Sequence, residues 1–172
     1  MIRLMKWENS SISESFLPSA SQTIYQGTAL KKVKDGTTGN ITWTVYGSAD
    51  LTGATGGGAL PVEGLALDSN QIQPIVNTSG PTIGDGHDFP NFNRGGYIAA
   101  VQKNALLEVF NGPLDTAIVH AESYTVGNVI YWAPGSAYFT GTAASGVAVG
   151  ILEDYLTDST GVVVRLKIRL TL

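Results

Sequence analysis

Residues 162–170 read Val162-Val163-Val164-Arg165-Leu166-Lys167-Ile168-Arg169-Leu170. The even positions Val162, Val164, Leu166, Ile168 and Leu170 are all apolar, while Arg165, Lys167 and Arg169 occupy odd ones. Side chains alternate faces along a β-strand, so this order buries one face and wets the other. An α-helix would spread the same residues around its circumference. The stretch is predicted as a strand, and it sets the period for reading the rest of the chain.

Upstream, residues 40–46 place Ile41, Trp43 and Val45 on one face and Thr42 and Thr44 on the other. β-Branched and aromatic residues of this kind fit a pleated surface. Residues 129–132 and 147–152 are nearly apolar on both faces, as expected of strands covered on both sides. Trp43 and Trp132 lie within these runs and are predicted to be core. Turn signals recur between the runs: Asp35-Gly36, Gly56-Gly57-Gly58 with Pro61, Gly84-Asp85-Gly86, Gly112-Pro113, Pro134-Gly135 and Ser145-Gly146. The best helix candidate is residues 98–110, where Ile98, Val101, Ala105 and Val109 would line one face. Its uniformly β surroundings favour two short strands turning near Lys103-Asn104. Short apolar runs between frequent turns indicate an all-β chain, a mostly antiparallel β-barrel or sandwich.

Residues 21–172 read as a single domain of this kind. Residues 1–20 differ, with Asn9, Ser10, Ser11, Ser13 and Ser15 set among the isolated large apolar residues Trp7, Phe16 and Leu17. Two readings stand level: an extended N-terminal arm that docks its few apolar side chains, or a first edge strand with a polar turn.

The 172 residues are 43% hydrophobic, ordinary for a packed domain, but only 14% are charged against the usual quarter. A free monomer normally keeps more surface charge, so the composition suits a surface largely covered by partners. A net charge of −4 argues against nucleic-acid binding, which needs a surplus of Lys and Arg. With no cysteine there is no disulfide, thiolate metal site or cysteine nucleophile. Arg3, Lys6 and Glu8 interrupt any apolar N-terminal run, so no signal peptide is expected. No stretch approaches the roughly 18–20 apolar residues of a membrane helix, and synthesis in a cytoplasm with no membrane partner is expected.

Reactive constellations are sparse. The two histidines are His87 and His120. His87 sits between Gly86 and Asp88 beside Asp85, types that can ligate zinc or activate water. A metal site wants three or four ligands, and a polar loop tip accounts for the same residues. His120 has Glu122 and Ser123 near it in sequence, which does not specify a triad; a strand histidine with a local hydrogen bond is the simpler reading. The glycine-rich residues 53–58 lack the Gly-Lys-Ser/Thr ending of a phosphate loop. No catalytic residue, cofactor or metal is therefore expected.

Binding candidates are clearer. Arg165, Lys167 and Arg169 form a stripe with a spacing of about 6.6 Å from strand geometry. Such a stripe suits electrostatic contact with an acidic partner, or, slightly preferred, a solvated face or charges guarding a sheet edge. Phe89, Phe92 and Arg94 lie in the long loop 85–94, and aromatics and Arg are enriched at binding centres. Trp7, Phe16 and Leu17 are similar candidates.

Three segments together carry a resemblance: Tyr124-Thr125-Val126-Gly127-Asn128-Val129-Ile130-Tyr131-Trp132, the run Gly146-Val147-Ala148-Val149-Gly150-Ile151-Leu152, and the terminal strand. Over roughly residues 120–172 the chain resembles bacteriophage head decoration (capsid cement) proteins of the small β-barrel type; residues 22–67 are similar only in outline. The resemblance implies a non-enzymatic structural virion protein, commonly a homotrimer, that binds the major capsid protein on the capsid exterior and reinforces the shell. The chain is longer than the shortest members of that type, with extra material in the N-terminal segment and in residues 80–93. The alternative is a phage tail or baseplate β-module binding a host receptor or glycan. An enzyme on a trimeric β-barrel would need an acid/base constellation that His87 and His120 are too isolated to supply.

Overall fold

In a computed structural model of the protein, the described residues are 2–18, 24, 27–52, 60–67, 98–111, 118–134 and 138–172. They form β1 (Ile2–Pro18), β2 (Ala29–Lys34), β3 (Ile41–Val45), a short α1 (Ser48–Thr52), β4 (Gly64–Ala66), β5 (Ile98–Phe110), β6 (Val129–Ala133), β7 (Tyr138–Thr140), one 3-10 turn (Ala143–Ser145), β8 (Val147–Thr157) and β9 (Val163–Leu170). The chain is all-β.

Alternation in β9 holds from Leu166 through Ile168 to Leu170, all buried. Nearer the start of the strand it slips by one. Leu156 faces Arg165 but Thr157 faces Val163, so Val164 is an extra, bulged residue. A bulge reverses which parity faces inward. Val163 is therefore buried, whereas Val162 is 43% exposed, a correction to the expectation that the even positions share one face throughout.

A second correction concerns residues 98–110. They are neither a helix nor two strands meeting at a turn, but the single strand β5. The polar pair Lys103-Asn104 marks an irregularity instead. Strand β1 runs antiparallel to β5, with Ile2 opposite Val109 and Trp7 opposite Ala105 on one limb, and Ile12 opposite Lys103 and Phe16 opposite Ile98 on the other. Residues 8–11 of β1 thus stand against Asn104, whose φ is 52°. Asn tolerates this left-handed conformation better than most residues, so the chain passes the bulge without turning back.

The pairings close a ring, β1–β3–β2–β4–β5, because β1 also meets β3 in parallel through Leu17↔Thr42 and Pro18↔Trp43. From β5 the sheet continues outward as β9–β8–β6–β7, all antiparallel. One core joins Leu30, Trp43, Ala66 and Ala100 of the ring strands to Ile24, which precedes β2. A larger one joins Leu107, Val109, Ile130, Trp132, Phe139, Leu152, Leu166 and Ile168 to Ala29, Leu65 and Val101. Ala29, Leu65 and Val101 lie in register across β2, β4 and β5. Their sequence neighbours Leu30, Ala66 and Ala100 belong to the smaller core. Neighbouring residues on a strand face opposite ways, so this wall is buried on both sides. Trp43 and Trp132 are core as expected, and Trp132 meets Phe139 edge to face with centroids 5.1 Å apart.

Gly150 of β8 packs tightly against β9. A Cβ there would sit 2.4 Å from the Arg169 carbonyl oxygen and 2.7 Å from Ile168 Cγ2. Gly150→Ala is expected to destabilise the protein by about 1–3 kcal/mol through overpacking. Gly36→Ala, where nothing lies within 4 Å, should change stability by less than about 0.5 kcal/mol. Urea midpoints of the two variants check the contrast; equal midpoints would contradict it.

Candidate partner-binding surface

The basic stripe lies on β9, which is bordered by β5 and β8 and so guards no edge. Its residues stand in cross-strand rows: Leu106–Arg169–Ile151, Glu108–Lys167–Asp154 and Phe110–Arg165–Leu156. Arg165 Nη1 donates to Glu108 Oε1 at 2.7 Å, and its Nη2 lies 3.4 Å from Asp154 Oδ2. Arg169 Nε donates to Glu153 Oε1 at 2.7 Å. Three cations therefore share a face with Glu108, Glu153 and Asp154, and the field they present to an outside partner largely cancels. Glu108 is buried, so its Arg165 partner is needed to hold a carboxylate out of water.

Of the other sequence candidates, Trp7, Phe16 and Leu17 lie on β1, at register positions opposite Ala105, Ile98 and Thr42. Phe89, Phe92 and Arg94 fall outside the described residues, as do His87 and residues 53–58. No helix among the described residues is long and apolar enough to cross a membrane.

His120 is the chemical candidate within the described residues. Its ring stacks on Tyr138 with centroids 4.5 Å apart, and its Nδ1 lies 3.5 Å from Glu122 Oε2. An exposed aromatic beside a carboxylate is how a sugar or a nucleophile would be held, but the carboxylate is already occupied. Glu122 Oε1 accepts from Thr140 Oγ1 at 2.7 Å and from the Gly141 N–H at 2.5 Å; Oε2 accepts from Thr142 Oγ1 at 3.0 Å. Burial pushes the Glu122 carboxyl up, yet the bonds from Thr140, Gly141, Thr142 and His120 outweigh it and leave it below the ordinary 4.5. Tyr124 completes the corner, its hydroxyl donating toward the carbonyls of His120 and Phe139 at 3.0 and 3.1 Å. Burial first, then the charge of Glu122, raises its phenol well above the ordinary value. This constellation is a clasp: it ties residues 118–124 to β7.

What the molecule does present is a pair of hairpins built alike. Between β2 and β3, Asp35 Oδ1 accepts the N–H groups of Thr37 and Thr38, and Gly39 closes the loop at φ 73°. Between β8 and β9, Asp158 Oδ1 accepts from the Thr160 and Val162 N–H groups and the Thr160 hydroxyl, and Gly161 closes at φ 83°. An Asp side chain bonding its own loop and a glycine at positive φ make a stiff turn. Both carboxyls are held below their ordinary value, Asp35 first by the Thr38 N–H and Asp158 first by the Thr160 hydroxyl. Each loop carries exposed apolar side chains beneath it: Val33 and Ile41 on the first, Tyr155, Leu156 (50% exposed) and Val162 on the second. Strands β2 and β8 both run parallel to β5, since each reaches it through an even number of antiparallel pairings. The two loops therefore leave the sheet at the same end.

Sequence reading missed these residues. The sign available was that strand-like composition continues past Leu152 through Glu153-Asp154-Tyr155-Leu156, further than a covered strand with charges on its path can stay buried. Comparison with protein-family models and with curated proteins finds no match for the chain.

Glu122→Gln replaces an acceptor-only carboxylate with a group that aims its own N–H donors at donors. At neutral pH it should cost about 1.5–3 kcal/mol, the scale of hydrogen bonds to a charged acceptor. Because the folded carboxyl sits below its unfolded value, this stabilisation is present above about pH 4.5 and is lost as pH falls through the folded value. Urea midpoints at pH 7 and pH 3 should show the gap between wild type and variant closing in acid. A gap that is constant or widens would contradict the clasp.

Proposed function

We propose that the protein is a structural component of a phage head exterior that binds the assembled shell and reinforces it, using the end of the sheet where the two hairpins emerge. The observation that carries this reading is the pair of stiff Asp-opened loops with Val33 and Ile41 beneath one and Tyr155, Leu156 and Val162 beneath the other. Exposed apolar side chains on rigid supports lose little entropy on docking, which is how a small surface gains affinity. The low charge of the chain and its resemblance over residues 120–172 to head decoration proteins point the same way. A protein that binds the closed shell but not its separated subunits stabilises the shell by mass action. Several copies arranged by the shell's symmetry add avidity to a contact that is individually weak.

Co-sedimentation with empty shells assembled from the major capsid protein of the same genome tests the proposal. Wild-type protein should pellet with the shells and saturate. The double variant Val33→Asp/Ile41→Asp, still folded by circular dichroism, should bind at least about tenfold more weakly, equivalent to ~1.4 kcal/mol. Wild-type protein remaining in the supernatant, or equal binding by the variant, would overturn the assignment.

A further inference from the structure

Strand β8 outruns its neighbour. Its pairing with β6 ends at Ile151↔Val129, and the preceding turn covers Leu152, whose N–H donates to the Asn128 carbonyl at 2.9 Å and whose carbonyl accepts the Gly127 N–H at 2.8 Å. Beyond that point lie residues 153–157, of which 154–157 pair with β9, and among the described residues nothing pairs with their other edge. All of them are exposed. Solvent-facing edges are normally guarded by charged side chains, Pro or a bulge. Here the bulge at Glu153 and the charges of Glu153 and Asp154 lie at the foot of the stretch, and Tyr155, Leu156 and Thr157 carry no such guard.

The ladder fixes which backbone groups face out. The Asn111 N–H donates to the Val164 carbonyl, and Leu166 and Ile168 follow in register opposite Val109 and Leu107. Hydrogen-bonded pairs alternate along an antiparallel ladder, so Leu166 and Ile168 turn their N–H and C=O toward β5. Their partners on β8, Tyr155 and Leu152, then turn theirs away from β9. Leu152 does so visibly, through its bonds to Gly127 and Asn128. Tyr155 therefore aims both its N–H and its C=O out of the open edge.

We propose that this edge pairs with the same edge of a second copy of the chain, about a two-fold axis beside Tyr155. A two-fold perpendicular to a continuous sheet sets one residue opposite itself. Centred on Glu153 or Asp154 it would oppose like carboxylates, and centred on Leu156 it would set Asp154 against Asp158. Centred on Tyr155 it sets Asp154 against Leu156 and Glu153 against Thr157, with no like charges facing. In that register the two tyrosines exchange a pair of backbone hydrogen bonds and form a cross-strand aromatic pair, a stabilising combination. Self-complementarity of this kind defines a two-fold interface. So short a contact falls below the roughly 1,200–2,000 Å² of stable interfaces, so the dimer forms in a concentration-dependent way.

The chain has no cysteine, which makes a single-cysteine test clean. In sedimentation velocity, dimer should accumulate with concentration. Tyr155→Cys should oxidise to a disulfide-linked dimer much faster than Thr171→Cys, an exposed control just past the C-terminal end of β9, beside Val149 and away from residues 154–157. A strictly monomeric protein, or a trimer in which Tyr155→Cys cross-links no faster than the control, would overturn the proposal. Should Tyr155→Cys fail to fold, hydrogen exchange of the unaltered chain decides. The Tyr155 amide should exchange more slowly as concentration rises, and a concentration-independent rate would sink the idea. These measurements use the free protein, so their failure is separable from any failure to bind shells.

Discussion

Burial of one wall on both faces is the constraint the rest of the molecule depends on. The rows Ala29–Leu65–Val101 and Ala66–Ala100 carry aliphatic side chains, three of the five being alanine, because two cores press on the same strands. Gly64 shows how tight the arrangement is: a Cβ there would sit 3.1 Å from Ala100 Cβ and 3.4 Å from Trp43 Cη2. Strand β5 must be long, since its first residues close the ring with β4 and its last ones support β9. The left-handed Asn104 lets it serve both without breaking. Ring and outer sheet therefore share one continuous piece of backbone.

That rigidity gives the hairpins their meaning. A two-stranded ribbon is marginal alone in water; here each is rooted in a core and finished by an Asp-bonded loop. The same accounting turns the polar clusters inward. Arg165 and Arg169 are engaged by Glu108, Asp154 and Glu153, and Glu122 is engaged by Thr140, Gly141 and Thr142. Among the described residues, Arg165, Arg169 and Glu122 thus hold strands and loops together. Among the described residues, five of the exposed large apolar side chains, Val33, Ile41, Tyr155, Leu156 and Val162, lie beside the two hairpin loops, and Leu60 and Val126 lie elsewhere.

Much of the fold was legible from period alone. Residues 41–45, 129–132, 147–152 and 166–170 announce their strands because apolar positions recur every second residue or fill both faces. Parity at Val163 was not legible, because a bulge is a property of the pair of strands and leaves no composition signal in one of them. The same holds for Lys103-Asn104, a polar pair that reads as a turn until its partner β1 is seen to bulge opposite it. The basic stripe was visible as a stripe, but its neutralisation required knowing which acidic residues β5 and β8 bring alongside. The hairpin surface was hardest to see, since exposure of Tyr155 and Leu156 depends on where β6 stops.

The proposed adhesion runs through the hairpin loops of the β-structure. Hydrogen exchange of the protein free and bound to shells measures this most directly. Binding should slow exchange in residues 33–41 and 158–162 and leave β6 and β7 unchanged. Protection centred on β6 and β7, or none anywhere on bound protein, would contradict it.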